Sequence, residues 1–246
     1  MRLDKMLSEC GIASRRESAK AIKAGQVTVN GIPAKKAEQQ IDPNTDQVVF
    51  CGRAIRYRRF VYVMLNKPDG YVSATEDGRD PTVLELLPEE YQKMGLFPCG
   101  RLDKHTLGLM LLTNDGVLSH RLLAPKSHVT KSYAFRVKFP LSNADVSLLE
   151  AGVDIGGYFT KPCRVALLNE REGIISITEG KYHQIKLMME AVHNQITDLE
   201  RKSFGPLTLD STLQRGEWRE LSDTEIQAIQ MHDHTMSQQK GTDSVT

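Results

Sequence analysis

With 246 residues, 40% of them hydrophobic and 26% charged, the chain has the composition of an ordinary globular protein and room for one large or two smaller domains. Its net charge of +1 hides a split: residues 1–60 carry 12 lysines and arginines against 6 acids, and the rest carry 20 against 25. A basic N-terminal quarter on a mildly acidic body points to a nucleic-acid-docking module. No apolar run nears the roughly 20 residues that span a bilayer, so a membrane partner is excluded and a cytoplasmic protein expected.

The N-terminal stretch parses in order. Leu3, Met6 and Leu7 share one face of a short helix that Gly11 ends. Ser14 with Glu17 is a capping-box signature for a second helix, which Gly25 stops. Val27 and Val29 lead into Asn30-Gly31, the signal of a type I′ hairpin. Arg2, Lys5, Arg15, Arg16, Lys20 and Lys23 fall on the two helices, placed to track a phosphate backbone, although any one alone is equally a solvated surface charge. The landmarks R-L-D-K-x-L, S-R-R-E-x-A and G-x-V-x-V-N-G resemble the S4 RNA-binding domain, which implies docking on folded RNA. This module is expected over residues 1–48. Residues 49–59, with four arginines in RAIRYRR, read as a basic linker or an edge strand along RNA.

From residue 60 strands and helices mix without a βαβ rhythm, predicting an α+β domain over 60–230 with a mixed, mostly antiparallel sheet. Strand signals lie at 60–65, 107–113, 131–139, 163–168 and 174–178, and helix signals at 117–123, 142–151, 181–193 and 223–230. Asn66-Lys67-Pro68-Asp69-Gly70 reads as a loop, and DPTVLELLP as a short helix stopped by Pro88. The polar tail 231–246 reads as disordered; His232 and His234 there lack a third anchored ligand.

The four cysteines form no C-x-x-C pair, and neither phosphate-loop pattern occurs, so no cofactor and no metal is expected. Chemistry must come from side chains. GRLDKHTLGLMLLTNDG sets one carboxylate, Asp103, among Arg101, Lys104 and His105 at the mouth of an apolar strand. On residues alone it is an anchor, a ligand or a nucleophile. In KSYAFRVKF, Tyr133 alternates with Phe135, Val137 and Phe139, the pattern of core packing. In EGKYHQIKLMMEAVHN, Ile185, Met188, Met189 and Val192 form a helix stripe flanked by Tyr182 and Lys186.

Taken in order, NKPDG, GRLDKHTLGLMLLTNDG, KSY, EGKYHQIKLMM and LQRGEWRELSDTE resemble the RsuA-type ribosomal RNA pseudouridine synthases over nearly the whole chain. Within that family GYVSATEDGRDPTVLELLP is closest to members acting on small-subunit (16S) rRNA; large-subunit (23S) rRNA is the alternative. The resemblance implies an isomerase that breaks the uridine C–N glycosidic bond, turns the base and forms a C–C bond. It makes Asp103 the nucleophile, attacking sugar or base, and Lys186 the cation that keeps it charged and aimed. It makes Tyr133 the tyrosine packed on the target base. Extracting that base from its stack costs a few kcal/mol. Arg101 is a candidate to fill the vacated space or hold a flanking phosphate, and Lys67 to contact RNA or, better, to support the loop. His105 and Leu107 depart from the family's usual acidic or small polar residues. Ribosomal RNA is the expected partner and a monomer the expected state. Two other classes compete. A non-catalytic ribosome-assembly factor would have had no need to keep Asp103, Tyr133 and Lys186 together. A hydrolase using Asp103 needs a histidine at workable spacing, and none is evident.

Overall fold

A computed structural model of the chain describes residues 1–231. The tail expectation for 232–246, with His232 and His234, lies outside them. Among the described residues no helix is long and apolar enough to cross a membrane. The chain divides into two compact units, one of residues 1–61 with 84–97 and one of residues 62–83 with 98 onward.

The first unit is helix, helix, sheet. Helices α1 (Leu3–Glu9) and α2 (Arg15–Lys23) precede strands β1 (Val27–Val29), β2 (Ile32–Pro33), β3 (Val48–Phe50) and β4 (Arg53–Ile55), in sheet order β2-β1-β3-β4. Ser14 and Glu17 cap α2 reciprocally. Asn30 and Gly31 both take positive φ (53° and 78°), the condition for a type I′ turn. Leu3, Met6, Leu7, Ile22, Val27 and Val48 fill the core.

Two boundaries differ from expectation. Residues 49–59 are not a linker: β3 and β4 pair across Val49–Ala54, so this sheet owns them, and the basic run begins as its edge strand. Residues 84–97, expected in the second domain, pack with the first. Their helix α3 (Glu89–Gln92) brings Glu90 to Arg53, which donates two hydrogen bonds at 2.8 and 3.1 Å. Gly11 (φ +69°) lies so near the Glu90 carbonyl that no Cβ fits.

The second unit is built on one large sheet. In chain order it contains β5 (Tyr62–Lys67), β6 (Phe97–Pro98), β7 (Leu107–Thr113), α4 (Gly116–Leu123), β8 (Lys131–Val137), α5 (Asn143–Ala151), β9 (Arg164–Asn169), β10 (Glu172–Ile177), α6 (Gln184–Ala191), β11 (Ile196–Phe204), β12 (Leu207–Thr208), β13 (Trp218–Glu220) and α7 (Asp223–Met231). The main order is β13-β5-β7-β11-β8-β10-β9, with β6 beside β7 and β12 beside β11. Among the named strands of the described residues only β7 and β11 pair in parallel, so the mixed, mostly antiparallel α+β expectation holds. β7 is buried from Gly108 to Thr113, as its apolar run requires.

Four local expectations change. β5 runs on through Asn66 and Lys67, which pair with Leu109 and Gly108. DPTVLELLP contributes a single 3-10 turn, Val83–Leu86. The helix expected at 181–193 is confined to Gln184–Ala191, because His183 and His193 take left-handed backbone (φ 48° and 57°) at its two ends. Strand β11, unsignalled in the sequence, lies mid-sheet between β7 and β8.

Candidate active site

Asp103 lies on the loop that enters β7, and Lys67 at the end of β5 together with Ser73 in the stretch after it holds that loop still. The Ser73 hydroxyl accepts from Leu102 N–H at 2.9 Å and donates to Leu102 C=O at 2.7 Å, fixing the peptide before Asp103. The Lys67 ammonium, fully buried, donates to the carbonyls of Pro68, Lys104 and Thr106 at 3.1, 2.9 and 2.9 Å. Those carbonyls consume its three N–H groups, so Lys67 is no RNA contact; it clamps the loop from beneath. Burial pulls its pKa down to about 8, with Asp69 and Asp103 opposing. Lys104 pairs with Asp80 at 2.6 Å, away from Asp103. His105 bonds Asp69 at 2.9 Å, with both side chains about two-thirds exposed (69% and 66%). The departure at His105 is therefore a surface tie between the two loops.

Lys186 arrives from the first turn of α6 and donates to Asp103 Oδ2 at 2.8 Å. The pair is half-buried, with side chains 27% and 28% exposed. Gln184 frames this arrival. It accepts from Lys181 N–H and donates to Glu179, which also accepts from Tyr158 and the Lys161 amide. Burial works against the Glu179 charge, but those hydrogen bonds outweigh it and hold its carboxyl below the usual range.

His183 is the residue that sequence reasoning missed. Its Nε2 lies 3.6 Å from Asp103 Oδ1, on the side opposite the lysine's oxygen. The tight turn Lys181–His183 puts it there, whereas a helix from 181 would not. Sequence spacing shows no histidine at workable distance from Asp103; the fold brings His183 beside it. Tyr182 beside it is exposed and stacks on the His183 ring at 3.9 Å.

Tyr133 occupies β8, paired with Ile175 and Arg201, and is 7% exposed. Its hydroxyl has no hydrogen-bond partner among the described residues and borders the cavity holding Asp103. That cavity, about 580 Å³, is also bordered by Arg101, Lys131, His183 and Arg201, and its size suits a nucleotide. Arg101 is exposed at its rim and has no ion pair among the described residues. Arg201 is 1% exposed and was equally unforeseen. At the other end of β7, Asp115 caps α4 by accepting from Leu118 N–H at 3.0 Å and takes the Tyr62 hydroxyl at 2.8 Å. Cys99 is a buried thiol, its pKa raised by desolvation.

In the first unit Arg15, Arg16 and Lys20 are exposed on α2 and free of ion pairs among the described residues. Arg2 is committed to Asp4 through two hydrogen bonds at 3.0 and 2.7 Å, and Lys5 lies 3.6 Å from Glu9.

Residues 61–191 match a family described as RNA pseudouridylate synthase, and residues 1–46 match the S4 domain. An uncharacterised RNA pseudouridine synthase of Bacillus subtilis (strain 168) is 47% identical over 234 residues, covering 93% of this chain and 98% of the relative. Ribosomal small subunit pseudouridine synthase A of Escherichia coli (strain K12) is 36% identical over 232 residues, covering 93% and 100%. A crystal structure of a pseudouridylate synthase superposes with a TM-score of 0.65 at 34% identity, covering 93% and 99%.

Proposed function

The chain belongs to the RNA pseudouridylate synthase family and carries an S4 domain ahead of the synthase unit, and on that premise we propose that it isomerises a uridine of small-subunit ribosomal RNA, as a cytoplasmic monomer, with Asp103 as nucleophile. The observation carrying this reading is the Asp103–Lys186 contact at 2.8 Å on the border of a nucleotide-sized cavity bounded by Tyr133. The choice of small-subunit RNA is supported by the Escherichia coli relative, a ribosomal small subunit pseudouridine synthase.

The chemistry needs little beyond these groups. Asp103 adds to the nucleotide and the C1′–N1 bond breaks. The uracil turns and C5 bonds to C1′ as the carboxylate departs. The C5 hydrogen leaves as a proton and N1 takes one, so the net reaction is an isomerisation. Lys186 holds Asp103 Oδ2 and leaves Oδ1 toward His183, fixing the carboxylate's plane for attack. The Tyr133 ring packs on the base, and its unengaged hydroxyl passes on the C5 proton. The base must leave its stack to enter the cavity, and Arg101 at the rim takes the vacated space. The exposed cations Arg15, Arg16 and Lys20 meet the phosphate backbone; Arg2 and Lys5, tied to acids, add less.

The test uses unmodified small- and large-subunit rRNA tritiated at uridine C5. Wild type is expected to release tritium from the small-subunit RNA, and Asp103→Asn to release none while still binding it. Release only from large-subunit RNA moves the substrate; release from neither returns the chain to a binding role.

A further inference from the structure

Two cations border the Asp103 cavity and have no part in the chemistry above. Lys131 opens β8, two residues before Tyr133 and so on the same face of the strand. Arg201 on β11 stands directly across from Tyr133. Both lie over the ring of Phe204, at 5.8 and 5.3 Å from its centroid. That ring thus gathers two like charges at one place on the sheet face.

Their donors are only partly used. Lys131 gives one hydrogen bond, to Val129 C=O at 3.0 Å. Arg201 gives Nε to Leu109 C=O at 2.7 Å, which fixes the guanidinium, and points Nη2 at Met110 Sδ at 3.9 Å. Nη1 and two ammonium protons remain. Among the described residues neither side chain forms an ion pair with a carboxylate. Burial and the neighbouring Arg201 lower the Lys131 pKa to about 8. With Arg201 fully buried and Lys131 half-buried, two cations held together with no carboxylate bonded to either are costly, and a structural role would be served better by apolar side chains. An anion entering the cavity supplies what is missing. Every nucleotide brings one, and a phosphate matches a fork of guanidinium and ammonium donors.

We propose that Lys131 and Arg201 form a phosphate subsite that grips the backbone phosphate of the uridine presented to Asp103. The proposal rests on reading the Asp103 cavity as a uridine site. The subsite anchors the nucleotide by its phosphate, so the base and C1′ are brought to a fixed distance from the carboxylate. Its contribution falls on binding and positioning. The phosphate belongs to either the 5′ or the 3′ side of the target, and the probes separate the two.

The experiment titrates the full chain with uridine, uridine 5′-monophosphate and uridine 3′-monophosphate, followed by chemical-shift changes. One monophosphate is expected to bind at least about tenfold tighter than uridine, a difference that charge-assisted bonds from one ammonium and one guanidinium readily supply. Lys131→Met should erase that preference with the melting temperature kept, and Lys131→Arg should restore most of it. On small-subunit rRNA, Lys131→Met should raise KM more than it lowers kcat. Equal binding of uridine and both monophosphates, no binding of either monophosphate at millimolar concentration, or a preference that survives Lys131→Met overturns the subsite. Asp103→Asn separates the two readings: it should keep the phosphate preference while losing tritium release. A chain that prefers a monophosphate but never releases tritium overturns the isomerase reading and leaves the subsite standing.

Discussion

Asp103 meets two nitrogen groups, and they are unequal. The Lys186 ammonium at 2.8 Å is within charge-assisted hydrogen-bond range; the His183 ring at 3.6 Å is outside it. Lys186 therefore dominates. Lys186→Met should lower kcat by roughly 100- to 1000-fold, the range seen when one preorganised donor is removed from a reacting group. His183→Gln should cost under tenfold, a small part of that roughly 100-fold scale. Single-turnover tritium release on both variants checks the order; a histidine variant as damaging as the lysine variant would reverse it. Asp103 and Lys186 were legible because a motif carries each. His183 stood in plain view but was misplaced, since its left-handed turn gives no signal in an apolar stripe. Arg201 was hidden for a different reason: apolar periodicity cannot flag a charge as a core position.

Strand β11 explains the largest gap between the sequence and the fold. Its buried residues Leu199, Arg201 and Phe204 are spaced by two and then three, because register shifts occur at Ile196–Asp198 and Arg201–Ser203. A bulged strand loses the strict alternation that marks its unbulged neighbours. β7, with its continuous apolar run, was placed to the residue. The two meet at Gly108 (φ +96°), where a Cβ would collide with the Arg201 carbonyl and lie 2.9 Å from its amide nitrogen. Gly108→Ala should destabilise the chain by on the order of 2–4 kcal/mol, combining left-handed strain with overpacking. Urea denaturation measures this, and a loss below 1 kcal/mol, about the strain minimum alone, would mean the strands part easily. The C-terminal turn makes a second prediction. Arg219 binds Asp210 and Glu225; the Thr212 hydroxyl and amide, and after them Arg219, hold the Asp210 carboxyl at about 2, and Arg219, with help from Ser222, holds Glu225 at about 2. Such depressed carboxylates contribute stability present above about pH 4 and lost as pH falls through the folded values. Arg219→Met should lower the melting temperature at neutral pH and flatten its fall between about pH 4 and 2. An unchanged acid limb would detach the arginine from that loss.

At the scale of the molecule, the charge split that opened the sequence maps onto the first unit, which also owns residues 84–97. This changes what a truncation tests. Deleting residues 1–61 strips the partners of Glu90 and leaves that segment without the core it packs on. A truncated chain is thus expected to melt earlier and aggregate, and its weakened RNA binding would confound folding with contact. Substituting surface cations keeps the two apart. Arg15, Arg16 and Lys20 are exposed on α2 and bound to no acid among the described residues. Their replacement by Gln should leave the melting temperature unchanged within about 1–2 °C, since surface changes away from special features stay within roughly ±0.5 kcal/mol. If each neutralises one phosphate, affinity for small-subunit rRNA should fall most at low salt. The slope of log affinity against log salt should then shrink by about 2, three contacts at roughly 0.7 each for unpaired RNA. Filter binding across a salt series reads this directly. A slope unchanged in the triple variant would move the RNA footprint off α2, onto the β4 edge where the arginine run begins.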